Sequence, residues 1–128
     1  RARLMAEEKQ ALATINIKRL RLRAFIGINE DEKKNLQDII INICIQYPAN
    51  RAILHKDIDH ALNYRTINKT IINYVGQGRF LLLESLVEEV LALVMANKKV
   101  CFAEVEIEKP NALRFTDSVS VTLRQHRD

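Results

Sequence analysis

The sequence predicts an α+β domain, a four-stranded antiparallel sheet with two helices on one face, in the order strand, strand, helix, helix, strand, strand. Three observations predict it. Four stretches alternate apolar and polar residues with period two, two stretches in the middle repeat apolar residues at helical spacing, and the second face of each strand is polar. At 128 residues the chain has the length of one such domain.

The first strand runs from Thr14 to Ile28. Ile15 and Ile17 hold one phase, and Leu20, Leu22, Ala24, Ile26 and Ile28 hold the other, so the slip at Lys18-Arg19 predicts a bulge that bends the strand. Residues 1–13, rich in charge, are expected to form a flexible leader ahead of a single domain over 14–128. A polar loop is expected from Asn29 to Asn35. Ile39, Ile41, Ile43, Ile45 and Tyr47 then alternate until Pro48, which lacks a ladder N–H, ends a second strand antiparallel to the first.

Ile67, Ile71, Ile72 and Val75 keep helical spacing from about Arg65, and Gly76 and Gly78 supply the stop. In the next helix Leu83, Leu86, Val87, Val90, Leu91 and Val94 mark one face, which closes near Lys98-Lys99, where cations suit the helix dipole. Val100 to Glu108 and Ser118 to Leu123 form the last two strands, joined by an irregular loop from Pro110 to Asp117. The polar sheet face then carries Arg21, Arg23, Asn42, Gln46, Glu104, Glu106, Ser118, Ser120 and Thr122. Such a face is either solvated or lines the interior of an assembly of sheets.

Composition narrows the function. The net charge of +4 and the cluster Lys18, Arg19, Arg21 and Arg23 allow a polyanion partner, but aromatic residues are only 5% of the chain, and Phe25 alone borders the cluster. A small anionic substrate accounts for the excess equally well, so no nucleic-acid partner is expected. No apolar run reaches the ~20 residues of a membrane span, and residues 1–13 lack the apolar centre of a signal peptide. Cys44 and Cys101 lie in apolar strand-like runs, as buried thiols do, which fits a cytoplasmic setting. His55, His60 and His126 have no metal-ligand spacing, the three glycines form no phosphate loop, and no Gly-x-Ser-x-Gly is present.

Five polar residues stand out by position. Lys109 ends the alternating run Ala103-Glu104-Val105-Glu106-Ile107-Glu108 and is pinned by Pro110. A lysine fixed on a strand end is a candidate for proton chemistry, but considered alone it reads as a solvated lysine at a turn. Glu84 follows Phe80-Leu81-Leu82-Leu83 and opens the second helix, where the dipole favours a carboxylate. The same carboxylate can take two parallel N–H donors from a planar, guanidine-like edge. Tyr64 stands just before the first helix, where its ring and hydroxyl can pack or face a pocket. Glu32 and Gln37 flank the loop between the first two strands, where polar residues need no special reason.

In order and spacing, Gly27-Ile28-Asn29-Glu30-Asp31-Glu32 with Gln37-Asp38, Leu62-Asn63-Tyr64, Leu83-Glu84 and Lys109-Pro110 resemble the dihydroneopterin aldolase and epimerase family, over about Thr14 to Leu123. Leu20 to Ile28, Ala61 to Thr66 and Ala112 to Ser120 are similar to its epimerase branch. The resemblance implies the tunnel fold, in which four subunits join their sheets into a barrel with the helices outside, and two rings stack as a homo-octamer. It implies a small pterin substrate held between subunits, with no metal and no cofactor.

The resemblance also implies roles. Glu84 would anchor the 2-amino and N3 hydrogens of the pterin, Leu83 and Leu62 would line the pocket and supply backbone contacts, and Gln37 would support. Tyr64, from a different chain than Glu84 and Lys109, would stack near the ring and act as acid or proton relay. Lys109, with Glu32, would manage the proton of the 2'-hydroxyl. The epimerase branch implies a triphosphate, for which Arg65, Arg114, Arg21 and Arg23 are candidates by type and position. The implied reaction is epimerisation at C2' of 7,8-dihydroneopterin triphosphate by retro-aldol cleavage and re-addition. Alternatives are an aldolase releasing glycolaldehyde and 6-hydroxymethyl-dihydropterin, or a non-catalytic module binding polyanions through the basic first strand.

Overall fold

In the computed structural model, which describes residues 11–50 and 61–128, the elements are β1 (Leu12–Ile26), α1 (Glu30–Lys34), β2 (Gln37–Pro48), α2 (Tyr64–Gln77), β3 (Arg79–Phe80), α3 (Leu83–Met95), β4 (Phe102–Pro110) and β5 (Ser118–His126). Residues 1–10 of the expected leader, His55 and His60 lie outside the described residues, and Leu12 and Ala13 are already in β1. The sheet order is β3-β1-β2-β4-β5. The four long strands pair antiparallel as their alternation predicts, and a two-residue fifth, β3, adds parallel to Phe25 and Ile26. Two residues are too few to carry a period, so this strand leaves no trace in the hydropathy pattern.

The predicted bulge is present. The β1–β2 register shifts between Ile17 and Leu20, Arg19 takes φ +55°, and its freed N–H donates to Asn42 Oδ1 at 2.8 Å. Strand β1 stops at Ile26 rather than Ile28 because Gly27, at φ +131°, turns the chain out of the sheet. The expected loop from Asn29 to Asn35 contains a five-residue helix instead. Asn29 caps it, accepting from the N–H of Glu32, while the Glu32 side chain accepts from the N–H of Asn29, a complete capping box. Tyr64 is the first helical residue of α2 rather than the residue before it, since Asn63 is the cap and accepts from the N–H of Thr66.

One core lies between sheet and helices. Ile26, Ile39, Ile41, Ile45 and Ile107 from the strands meet Ile71 and Val75 of α2 and Leu86, Val87, Val90 and Val94 of α3, all essentially inaccessible. On the other face the polar side chains satisfy one another across strands. Asn42 donates to Glu106 and Glu108, Ser118 to Glu108, Ser120 to Glu106, and Arg124 to Glu104. Cys44 shares this face and is only half-buried, and Cys101 is half-buried as well, so the expectation of two buried thiols is corrected. The cause is register: Cys44 sits at an even-numbered position of β2 between Asn42 and Gln46, outside the isoleucine row. Desolvation, and then the charge of Glu104, push its thiol above the ordinary range.

Candidate active site

Strand ends assemble the site. Because Ala24 faces Gln37 across β1–β2, and Ile40 faces Glu108 across β2–β4, the end of β1, the start of β2 and the end of β4 meet at one end of the sheet. Lys109 continues the row Ala103, Val105 and Ile107, all fully buried, so its stem leaves the sheet on the helix-bearing face. The side chain is 18% exposed, and its Nζ donates to Glu32 Oε2 at 2.9 Å.

Glu32 is held at both oxygens. Oε1 accepts from the N–H groups of Ile28 at 3.2 Å and Asn29 at 3.4 Å, which leaves Oε2 for Lys109. The hydrogen bond from Lys109, aided by the backbone donors and opposed by partial desolvation, holds this carboxyl below the usual glutamate range. Beside it Gln37 Nε2 donates to the carbonyl of Ile26 at 2.6 Å, tying the start of β2 to the end of β1.

A cleft of about 290 Å³ opens here, lined by Glu32 and Lys33 of α1, Phe25 to Gly27, and Arg79 to Leu81. The Arg79 guanidinium lies 4.1 Å from the centroid of the Phe25 ring, and its Nη1 donates to the carbonyl of Lys33 at 2.8 Å. Leu81 leads directly into α3. Its first turn carries Glu84, which is exposed and without a side-chain partner among the described residues. The N-cap of α3, Leu82, offers no side-chain acceptor, so helix N–H donors stand uncapped beside the Glu84 carboxylate. Leu83 is buried, and its side chain belongs to the core.

Tyr64, Leu62 and Arg65 are elsewhere. Helix α2, 14 residues long, runs from Tyr64 to Gln77 and hands the chain to Arg79 at the cleft, so at a rise of ~1.5 Å per residue Tyr64 lies about 20 Å away along the helix. An independent contact agrees: Lys99, beyond the far end of α3, donates to the carbonyl of Ala61 at 3.0 Å. Leu62 is 4% exposed, so its side chain is core rather than pocket lining. Tyr64 is 48% exposed at the head of its helix.

The remaining arginines divide. Arg21 and Arg23 line a second cleft of about 330 Å³ with Asp38 and Pro110, on the polar face behind Lys109. Arg23 is engaged by Asp38 at 3.3 Å and by the carbonyl of Leu36 at 3.2 Å. Arg114 projects from the β4–β5 loop, its guanidinium 5.3 Å from the ring centroid of Phe115, itself 97% exposed. One chain therefore brings together Glu32, Gln37, Lys109 and, at the same end, Glu84, with Arg21 and Arg23 on the opposite face. From sequence, Gly27, Asn29 and Leu81 enter only as members of longer runs, with no role, and Arg79 is missed. The capping-box spacing Asn29-x-x-Glu32 is a readable signal for Asn29, whereas β3, which carries Arg79, has none.

Residues 15–124 match the family described as dihydroneopterin aldolase. The chain is 54% identical to the dihydroneopterin triphosphate 2'-epimerase of Pseudomonas aeruginosa, over 96% of this chain and 100% of that protein. It is 53% identical to the protein of the same description from Escherichia coli, over 92% of this chain and 98% of that one. The crystal structure of Escherichia coli dihydroneopterin aldolase in complex with neopterin is similar with a TM-score of 0.83 and 25% identity, covering 88% of this chain and 98% of the other.

Proposed function

The chain belongs to the dihydroneopterin aldolase family, and on that premise we propose that it inverts C2' of 7,8-dihydroneopterin triphosphate by a retro-aldol and aldol sequence. The observation that carries this reading is the identity to the two epimerases over nearly their whole length, about twice that to the aldolase.

Glu84 accepts the 2-amino and N3 hydrogens of the pterin, with the uncapped N–H groups of α3 beside it as donors to the ring's acceptor atoms. Lys109 takes the proton of the 2'-hydroxyl. The hydrogen bond from Nζ to Glu32 fixes the direction of the amine, and in the form that accepts the proton the lone pair is left for the substrate, so Glu32 also orients the base. The C1'–C2' bond then breaks, C2' becomes an aldehyde, and its electron pair passes through C1' into the N5=C6 imine. The pterin is the electron sink. Rotation of the aldehyde and re-addition on its other face invert C2', and the proton returns to the new hydroxyl. Gln37 supports the site by fixing the end of β1.

The triphosphate rides on the aldehyde fragment. Cations that hold it therefore keep the aldehyde from leaving, and they decide between epimerisation and release. Arg21 and Arg23 behind Lys109, Arg114 on the following loop and Arg65 at the head of α2 are the candidates.

A cleft of about 290 Å³ is at the lower limit of small-molecule sites, which span roughly 300–1,000 Å³. A second copy bringing Tyr64, Arg65 and the backbone of Leu62 to this cleft would complete it, Tyr64 acting as acid or relay. Among the described residues the outer edge of β5 and that of β1 before Phe25 are unpaired, which supports sheets joining edge to edge in a tetrameric ring and two rings in an octamer.

The test is to give the enzyme dihydroneopterin with and without its triphosphate and to quantify 2'-epimer and free aldehyde separately. The epimer should dominate with the triphosphate. Preference for the unphosphorylated substrate, with mostly released aldehyde, would make the protein an aldolase.

A further inference from the structure

We infer that Gly27 and Asn29 are positioning residues, which fold the Glu32 carboxylate back over the chain and thereby aim its Oε2 at Lys109. The inference rests on the proposed role of the Glu32–Lys109 pair. Helix α1 has only five residues and buries none of them, so neither helical propensity nor packing accounts for its presence. Side-chain contacts hold it instead. Asn29 Oδ1 accepts from the N–H of Glu32 at 2.8 Å, and Asn35 Nδ2 donates to the carbonyl of Asp31 at 2.9 Å.

Gly27 supplies the space. A β-carbon there would fall within the Glu32 carboxylate and lie 2.6 Å from Glu32 Cβ, and φ +131° is a conformation that other L residues rarely adopt. The carboxylate thus lies where a side chain at position 27 would be. With Oε1 fixed on two backbone N–H groups, Oε2 has one direction left, and Lys109 occupies it. A carboxylate reaching Lys109 from an uncapped loop would be free to rotate away.

The test separates positioning from general stability and from the proposed reaction. Asn29→Ala should lower kcat about tenfold while KM stays within about twofold, and Asn29→Ser, which restores a capping oxygen, should recover most of that loss. In a Glu32→Gln background, Asn29→Ala should cost less than about twofold more, because both changes act through one carboxylate. Carboxyl-carbon NMR of Glu32 in the full chain provides a readout without substrate: in Asn29→Ala its titration should move up toward that of an ordinary glutamate. Gly27→Ala should do the same if it folds, and Asn29→Ala decides the matter if it does not. Wild-type kcat in Asn29→Ala, an equal tenfold loss in both backgrounds, or an unmoved Glu32 signal would overturn the inference. Were wild type to leave the triphosphate unchanged while the NMR shift appeared, the proposed reaction would fail and the positioning of Glu32 would stand.

Discussion

Lys109 and Glu32 are 77 residues apart in sequence and 2.9 Å apart in space, and Glu84 stands at the same end of the sheet with its carboxylate unpartnered among the described residues. In the proposed reaction the two carboxylates do different work, one orienting a base and the other anchoring a ligand. Lys109→Ala should cut turnover by about 10²–10⁴-fold, as loss of a proton-transfer group does, and leave pterin affinity nearly intact. Glu84→Ala should instead abolish pterin binding in a fluorescence titration, and unchanged affinity would remove it from the site. Glu32 also links the pair to pH. Its carboxyl is held below the usual range, so it stabilises the fold above its ordinary pKa of about 4.3 and loses that contribution as pH falls through its lowered value. The melting temperature of Glu32→Gln should thus lie below wild type at pH 6 and converge on it in acid. All five polar residues singled out in the sequence were legible by type and position. Their grouping came from the family resemblance alone, because alternation says which face a side chain takes and nothing about which strand ends meet.

At the scale of elements, the long strands and both long helices follow from periodicity, since each buries one continuous apolar row. The short elements do not. Helix α1 is written in a capping box without an apolar row, and β3 is placed by Gly27, whose N–H donates to the carbonyl of Phe80 at 2.9 Å. Helix α2 shows the value of a cap where packing also contributes. Asn63→Ala removes the acceptor for the Thr66 N–H and should cost about 1 kcal/mol in urea denaturation. A loss below a few tenths would mean that burial of Ile67, Ile71 and Val75 holds that helix end without the cap.

At the scale of the whole molecule, the proposed assembly rests on the two sheet edges unpaired among the described residues and on the distance of Tyr64 from the cleft. Among the described residues no helix is long and apolar enough to cross a membrane, and the polar sheet face is knit by cross-strand hydrogen bonds. If Tyr64 serves the cleft of a neighbouring copy, Tyr64→Phe and Lys109→Ala, each inactive alone, should regain activity when unfolded and refolded together. Mixtures as inactive as their parts would return Tyr64 to its own chain. The retro-aldol claim itself is tested most directly by running the reaction on the triphosphate in D₂O and reading the 2'-epimer by proton NMR. Carbon–carbon cleavage makes C2' an aldehyde, whose hydrogen does not exchange with solvent, so the epimer should keep protium at C2'. Deuterium at C2' would mean inversion by removal and return of that hydrogen, and would contradict the account.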